Sequence, residues 1–128
     1  MRRDEYDYLT RAIIACAIEV HRNLGPGLLE SAYQQCLIYE LAAKGFDVLS
    51  QHEQPLVYKT QPKLKAYYID ILVENLVVLE IKSVEATLPV HASQILTYMK
   101  LGNFKVGLLL NFNVKLMKDG IQRFVNNF

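Results

Sequence analysis

Apolar positions recur at helical spacing over residues 4–22, where Leu9, Ile13, Ala17 and Val20 form one stripe with Ile14, Ile18 and His21 alongside. Gly25-Pro26-Gly27 ends this helix, since glycine frees the backbone and proline bars helix continuation. The same period restarts over residues 28–44 through Leu29, Ala32, Tyr33, Cys36, Leu37 and Leu41, and Gly45 closes it. The period then changes. Phe46, Val48, Leu56 and Tyr58 read as an extended segment, with a turn near Thr60-Gln61-Pro62. Residues 63–73 and 76–82 are rich in the strand formers Tyr, Ile, Val and Leu, and Glu74-Asn75 reads as the connection of a hairpin. Pro89 precedes a helical run over residues 90–101 that Gly102-Asn103 stops. Residues 105–112 read as a short buried strand, and residues 115–124, turning at Asp119-Gly120, add a last one.

The predicted order is helix, helix, three strands, helix, strand, strand. A mixed sheet flanked by helices satisfies the packing of such elements, so the fold class is α/β. The helix between Glu80 and Lys105 can serve as a right-handed crossover joining parallel strands.

Length and composition narrow the picture. With 128 residues, 52% of them hydrophobic, and 14 Lys+Arg against 13 Asp+Glu, the chain is expected to form one domain over residues 1–128. Disorder is excluded by the apolar fraction, and a net charge of +1 excludes a protein that holds polyanions by global charge. No stretch approaches the roughly 20 apolar residues of a membrane helix, and Met1-Arg2-Arg3-Asp4-Glu5 leads into an amphipathic pattern unlike a signal peptide. A cytoplasmic protein is expected, with no membrane association. Cys16 and Cys36 are too few for a disulfide framework or a zinc cage and read as two buried thiols.

Three charged residues interrupt the most apolar strands: Asp70, Glu80 and Lys82. Along Val77-Val78-Leu79-Glu80-Ile81-Lys82 the side chains alternate, so Glu80 and Lys82 share a face. A hairpin centred on Glu74-Asn75 sets Asp70 across from Leu79 or Glu80, and direct cross-strand neighbours have Cβ atoms about 4.5–5.5 Å apart. Two carboxylates so placed can share a hard cation, and a lysine on the same face can position water or stabilise developing negative charge. The bland alternative is an ion-pair cluster at the end of a hairpin.

Glu30, Tyr33 and Leu37 form a stripe on the second helix, where Glu30 also suits the positive end of the helix dipole. His91, Gln94 and Tyr98 line a stripe of the third helix. There the ordinary readings are a solvated amide for Gln94 and a core-edge aromatic for Tyr98. His21 follows the apolar stripe of the first helix and reads as a satisfied core histidine.

The run Leu24-Gly25-Pro26-Gly27-Leu28-Leu29-Glu30-Ser31-Ala32-Tyr33 contains G-x-x-E-x-x-Y. With Asp70, Glu80-Ile81-Lys82, Pro89-Val90-His91-Ala92-Ser93-Gln94, Tyr98 and the strand Lys105-Val106-Gly107-Leu108-Leu109-Leu110-Asn111-Phe112, the chain resembles the GxxExxY protein family from about residue 6 to 125. That family is regarded as a branch of the PD-(D/E)xK nuclease-like superfamily. The resemblance implies a restriction-endonuclease-like core in αβββαβ order, preceded here by an extra N-terminal helix. It also implies roles: Glu30 as the first-helix acid, Asp70 as the metal-binding aspartate, Glu80 and Lys82 as the (D/E)xK pair, and Gln94 with Tyr98 as the polar helix motif. Two positions depart from the pattern. Ile69 stands where a proline often precedes the aspartate, and Tyr68 stands where family members often carry arginine.

The function expected from these residues is a magnesium- or manganese-dependent phosphodiesterase acting on DNA in preference to RNA. Asp70, Glu80 and the Ile81 carbonyl would hold the metal, Glu30 a second metal or a metal-bound water, and Lys82 the attacking water, while Gln94 and Tyr98 contact substrate or anchor Lys82. The rival is a catalytically silent module of the same fold that binds nucleic acid or protein. The near-neutral charge favours the rival, since a nuclease gripping several phosphates needs a basic face and the cations are dispersed, Lys59, Lys63 and Lys65 near one strand end and Lys100, Lys105, Lys115 and Lys118 elsewhere. The intact Asp70, Glu80 and Lys82 favour the enzyme, and a homodimer could join patches from two copies.

Overall fold

The structure, a computed structural model, describes residues 2–128, with the side chains of residues 62–66 outside the description. Lys63 and Lys65 therefore lie outside the described side chains. Helix α1 spans Arg3–Leu24 and α2 spans Glu30–Ala43; the strands are β1 Val48–Tyr58, β2 Gln61–Val73, β3 Val77–Lys82, β4 Val106–Asn111 and β5 Ile121–Val125, with α3 Pro89–Gly102 between β3 and β4. The segment expected to turn at Asp119-Gly120 forms a short 3-10 helix, Met117–Gly120, before β5.

The five strands lie in the order β1-β2-β3-β4-β5, antiparallel throughout except for the parallel pair β3 and β4. That exception is the crossover through α3. Three helices and a mixed five-stranded sheet make an α/β fold consistent with a restriction-endonuclease-like core.

Each face of the sheet carries its own apolar cluster. On one side Leu9, Ile13, Cys16, Ala17 and Val20 of α1 and Tyr33, Leu37 and Leu41 of α2 pack on Ile71, Val73, Leu79, Ile81, Leu108 and Leu110. On the other, Ile95, Tyr98 and Met99 of α3 cover Ile69, Leu72 and Val78. Gly107 lets α3 approach: a Cβ there would sit 2.7 Å from Met99 Sδ. The helical periods fixed these faces, because 3.6 residues per turn brings one stripe of each helix onto the sheet.

The β2–β3 turn shows how local chemistry sets register. The Leu76 amide donates to the Val73 carbonyl at 2.9 Å, and Glu74 and Asn75 both take φ of 55°. Asparagine tolerates that left-handed region, and Glu74 is held in it by bonding Asp47 through both backbone and carboxylate. His21 is buried with Nε2 2.7 Å from the Val114 carbonyl, a core histidine with its partner. Both cysteines are free; Cys16 is buried as expected, whereas Cys36 is only half-buried because it sits at the edge of the α2 stripe. Among the described residues no helix is long and apolar enough to cross a membrane.

Candidate active site

Two of the three charged residues meet through the β2–β3 hairpin. Ile71 pairs with Leu79, Leu72 with Val78 and Val73 with Val77. One step further along this register Asp70 faces Glu80, and there the backbone ladder stops. The Ile81 amide donates instead to Asp70 Oδ2 at 2.8 Å.

The other edge of β2 is interrupted at the same residue. Ser50 pairs with Ile71 and His52 with Ile69, but Gln51 and Asp70, facing each other between them, form no ladder pair. Gln51 takes a left-handed φ of 51°, which a non-glycine residue rarely adopts within a strand. Strict alternation fails here as well: Ile69 belongs to the α3-side cluster, while Ile71 belongs to the α1/α2 side. Irregularities of this kind re-aim a side chain, and here the result is a carboxylate turned toward β3.

Glu80 is 4% exposed, and its Oε1 is buried with no hydrogen-bond partner among the described residues. Burial pushes its carboxyl from the ordinary 4.5 up to about 9; the Asp70 carboxylate adds to the rise, and the Lys82 ammonium opposes it. At neutral pH, therefore, Glu80 holds a proton. Lys82 shares its face of β3 and is half-buried beside Asn111 of β4. Ile81, between them, buries its side chain on the opposite face.

α3 forms the wall over this pair. Gln94 is exposed and its amide donates to the Tyr98 hydroxyl at 2.9 Å. Tyr98 is buried, its ring 5.8 Å from that of Tyr67. Burial raises the Tyr98 phenol above its ordinary value, and the carboxyls of Glu80 and Asp70 push it further in the same direction.

Glu30 is the first residue of α2 and is exposed. Among the described residues no three His, Cys, Asp or Glu side chains converge into a group that could hold a metal. Two residues that the sequence did not single out do touch Asp70. Gln34, one helical turn after Glu30, donates from Nε2 to the Asp70 carbonyl at 3.0 Å, and Gln51 Nε2 lies 3.5 Å from Asp70 Oδ1. The i, i+4 relation to Glu30 was the available clue to Gln34. Gln51 gave none, because its role depends on a break in strand pairing.

A hard divalent cation fits this donor set. It would give the stranded Glu80 oxygen a partner, displace the retained proton and neutralise the carboxylate charge that results.

The α/β layering and the line Asp70, Glu80, Lys82 define a nuclease-like domain. Residues 7–124 match the family model of the PD-(D/E)XK nuclease superfamily, and the chain belongs to that superfamily. No curated protein and no solved structure matches it.

Proposed function

We propose that the protein is a magnesium- or manganese-dependent phosphodiesterase that cuts nucleic acid, DNA in preference to RNA. The observation that carries this reading is Glu80 Oε1, buried near Asp70 with no hydrogen-bond partner among the described residues. A buried unsatisfied oxygen costs about 1–3 kcal/mol, and more when charged, so its retention calls for a ligand.

Asp70, Glu80 and the Ile81 carbonyl would hold the cation. When bound, it supplies a more acidic water and neutralises charge on the phosphoryl oxygens. Asp70 is pre-aimed for this work by the Ile81 amide, which fixes one carboxylate oxygen and leaves the other toward Gln51. Lys82, on the Glu80 face, would orient the attacking water and oppose the negative charge that develops on the phosphoryl group. Glu30 would bind water or a second cation from the start of α2. The Tyr98 hydroxyl, held by Gln94, would contact substrate.

The test is cleavage of single- and double-stranded DNA and RNA with magnesium or manganese, wild type beside Lys82→Ala. Wild type should cut, and Lys82→Ala should lose about 10²–10³ in rate while still binding metal. A wild type that binds metal and cuts none of these substrates favours the silent module. Cleavage undiminished in Lys82→Ala would remove this site from the chemistry.

A further inference from the structure

We infer that Gln34 is a positioning residue for the Asp70 carboxylate, acting through the Asp70 backbone; the inference rests on the metal-centre reading above. Strand β2 gives up its ladder at Asp70 on both sides. Toward β1 no pair forms between Gln51 and Asp70, and toward β3 the pairing ends at Ile71 and Leu79. A strand carbonyl deprived of its neighbour in a half-buried setting needs another donor. Gln34 supplies it, from a different layer of the fold, with Nε2 3.0 Å from the Asp70 carbonyl.

The consequence is geometric. Regular pairing at Asp70 would put Ile69 and Ile71 on one face and send the Asp70 side chain straight off the sheet. The observed backbone instead places those two isoleucines on opposite faces and brings Asp70 Oδ2 to the Ile81 amide at 2.8 Å. Gln34 bonds to the irregular backbone at its centre, and the left-handed Gln51 is the compensating distortion in the neighbouring strand. Because Gln34 lies one turn from Glu30 on the same helix, this bond also fixes how far the start of α2 stands from the Asp70–Glu80 pair. Outer partners of metal-binding carboxylates commonly set ligand orientation in this way, and losing one typically costs about 10–100-fold in metal affinity.

The experiment is manganese titration of the full chain by calorimetry, with the metal-free melting temperature measured beside it. Gln34→Met keeps the length and apolar stem but cannot donate; Gln34→Asn keeps the amide but shortens its reach, and serves if the first variant fails to fold. Both should weaken manganese binding by about 10–100-fold, while Gln51→Gly, which removes the distal amide and relieves the left-handed φ, should weaken it less and melt no lower than wild type. Unchanged affinity in both Gln34 variants, with wild type binding manganese, overturns the role of Gln34 alone. A wild type that binds no manganese sinks the metal centre, and the role of Gln34 with it. A lower melting temperature with affinity retained assigns Gln34 to helix packing and also overturns the inference.

Discussion

Asp70 and Ile81 are joined by a bond of an unusual kind for neighbours in a hairpin: the side chain of one accepts the backbone amide of the other, at 2.8 Å. The aspartate thereby replaces a ladder carbonyl. One of its oxygens is committed to the fold, and the fold in turn fixes where the other points. Glu80, adjacent to Ile81 along β3, is carried into the same space. The two carboxyls are thus brought together by the backbone, and burial, with the Asp70 charge adding to it, raises the Glu80 carboxyl to about 9, so that it keeps its proton at neutral pH.

That proton makes stability depend on pH in a definite direction. The Glu80 carboxyl is raised in the folded state from 4.5 to about 9, so its contribution is most favourable below the unfolded value and is lost as pH rises toward 9. Each pH unit across that window removes up to about 1.4 kcal/mol. Glu80→Gln should therefore melt higher than wild type at pH 8, differ little near pH 4.5, and flatten the slope between. Thermal melts across this range check it; a variant less stable at pH 8 would contradict the assignment.

Metal binding should release that proton. Titrations of manganese at pH 7 in buffers of different ionisation enthalpy should report release of about one proton per cation, with apparent affinity rising toward pH 9. Release near zero would show that the cation binds away from Glu80.

Glu30 has two competing roles, and one substitution separates them. If it serves the cation or its water, Glu30→Gln weakens metal binding and leaves the melting temperature nearly unchanged. If it serves the helix dipole, the variant loses about 0.5–1 kcal/mol of stability and keeps its metal affinity. Its exposed place at the first position of α2 suits either role.

Tyr33→Phe should destabilise the fold without touching the carboxylate pair. The hydroxyl accepts from the Leu28 amide at 3.0 Å and donates to the Gly25 carbonyl at 2.6 Å, while the ring stacks on Phe112 with centroids 4.6 Å apart. Removing the hydroxyl leaves two part-buried backbone groups unpaired, a loss of about 1–3 kcal/mol by chemical denaturation. The ring stack remains.

The layers of this fold were legible because periodicity reports burial. The stripe through Leu9, Ile13 and Val20 and the alternation around Glu80 and Lys82 each follow from one repeating geometry. The Glu74-Asn75 turn narrowed the partner of Asp70 to Leu79 or Glu80, and the observed register, Ile71 against Leu79, selects Glu80. What the sequence did not reveal is the irregular backbone at Asp70. Gln34 and Gln51 are polar residues on a helix and a strand, as solvated residues usually are, and only the missing pairs in the sheet give them partners. The 3-10 turn at Met117–Gly120 was hidden for a related reason: Gly120 is needed because a Cβ there would lie 2.0 Å from the Asn111 carbonyl, a contact between segments that no local pattern encodes.

The turn between α1 and α2 is moored at three points. Tyr33 holds Gly25 and Leu28 from beneath, and the Ser83 hydroxyl, just past the end of β3, donates to the Leu28 carbonyl at 2.6 Å. A loop so tied has no slack. Swinging over the carboxylates would cost it all three bonds. The span from Gly25 to the start of α2 therefore works as a fixed rim, one whose length is set at once by the end of the central strand and by a phenol.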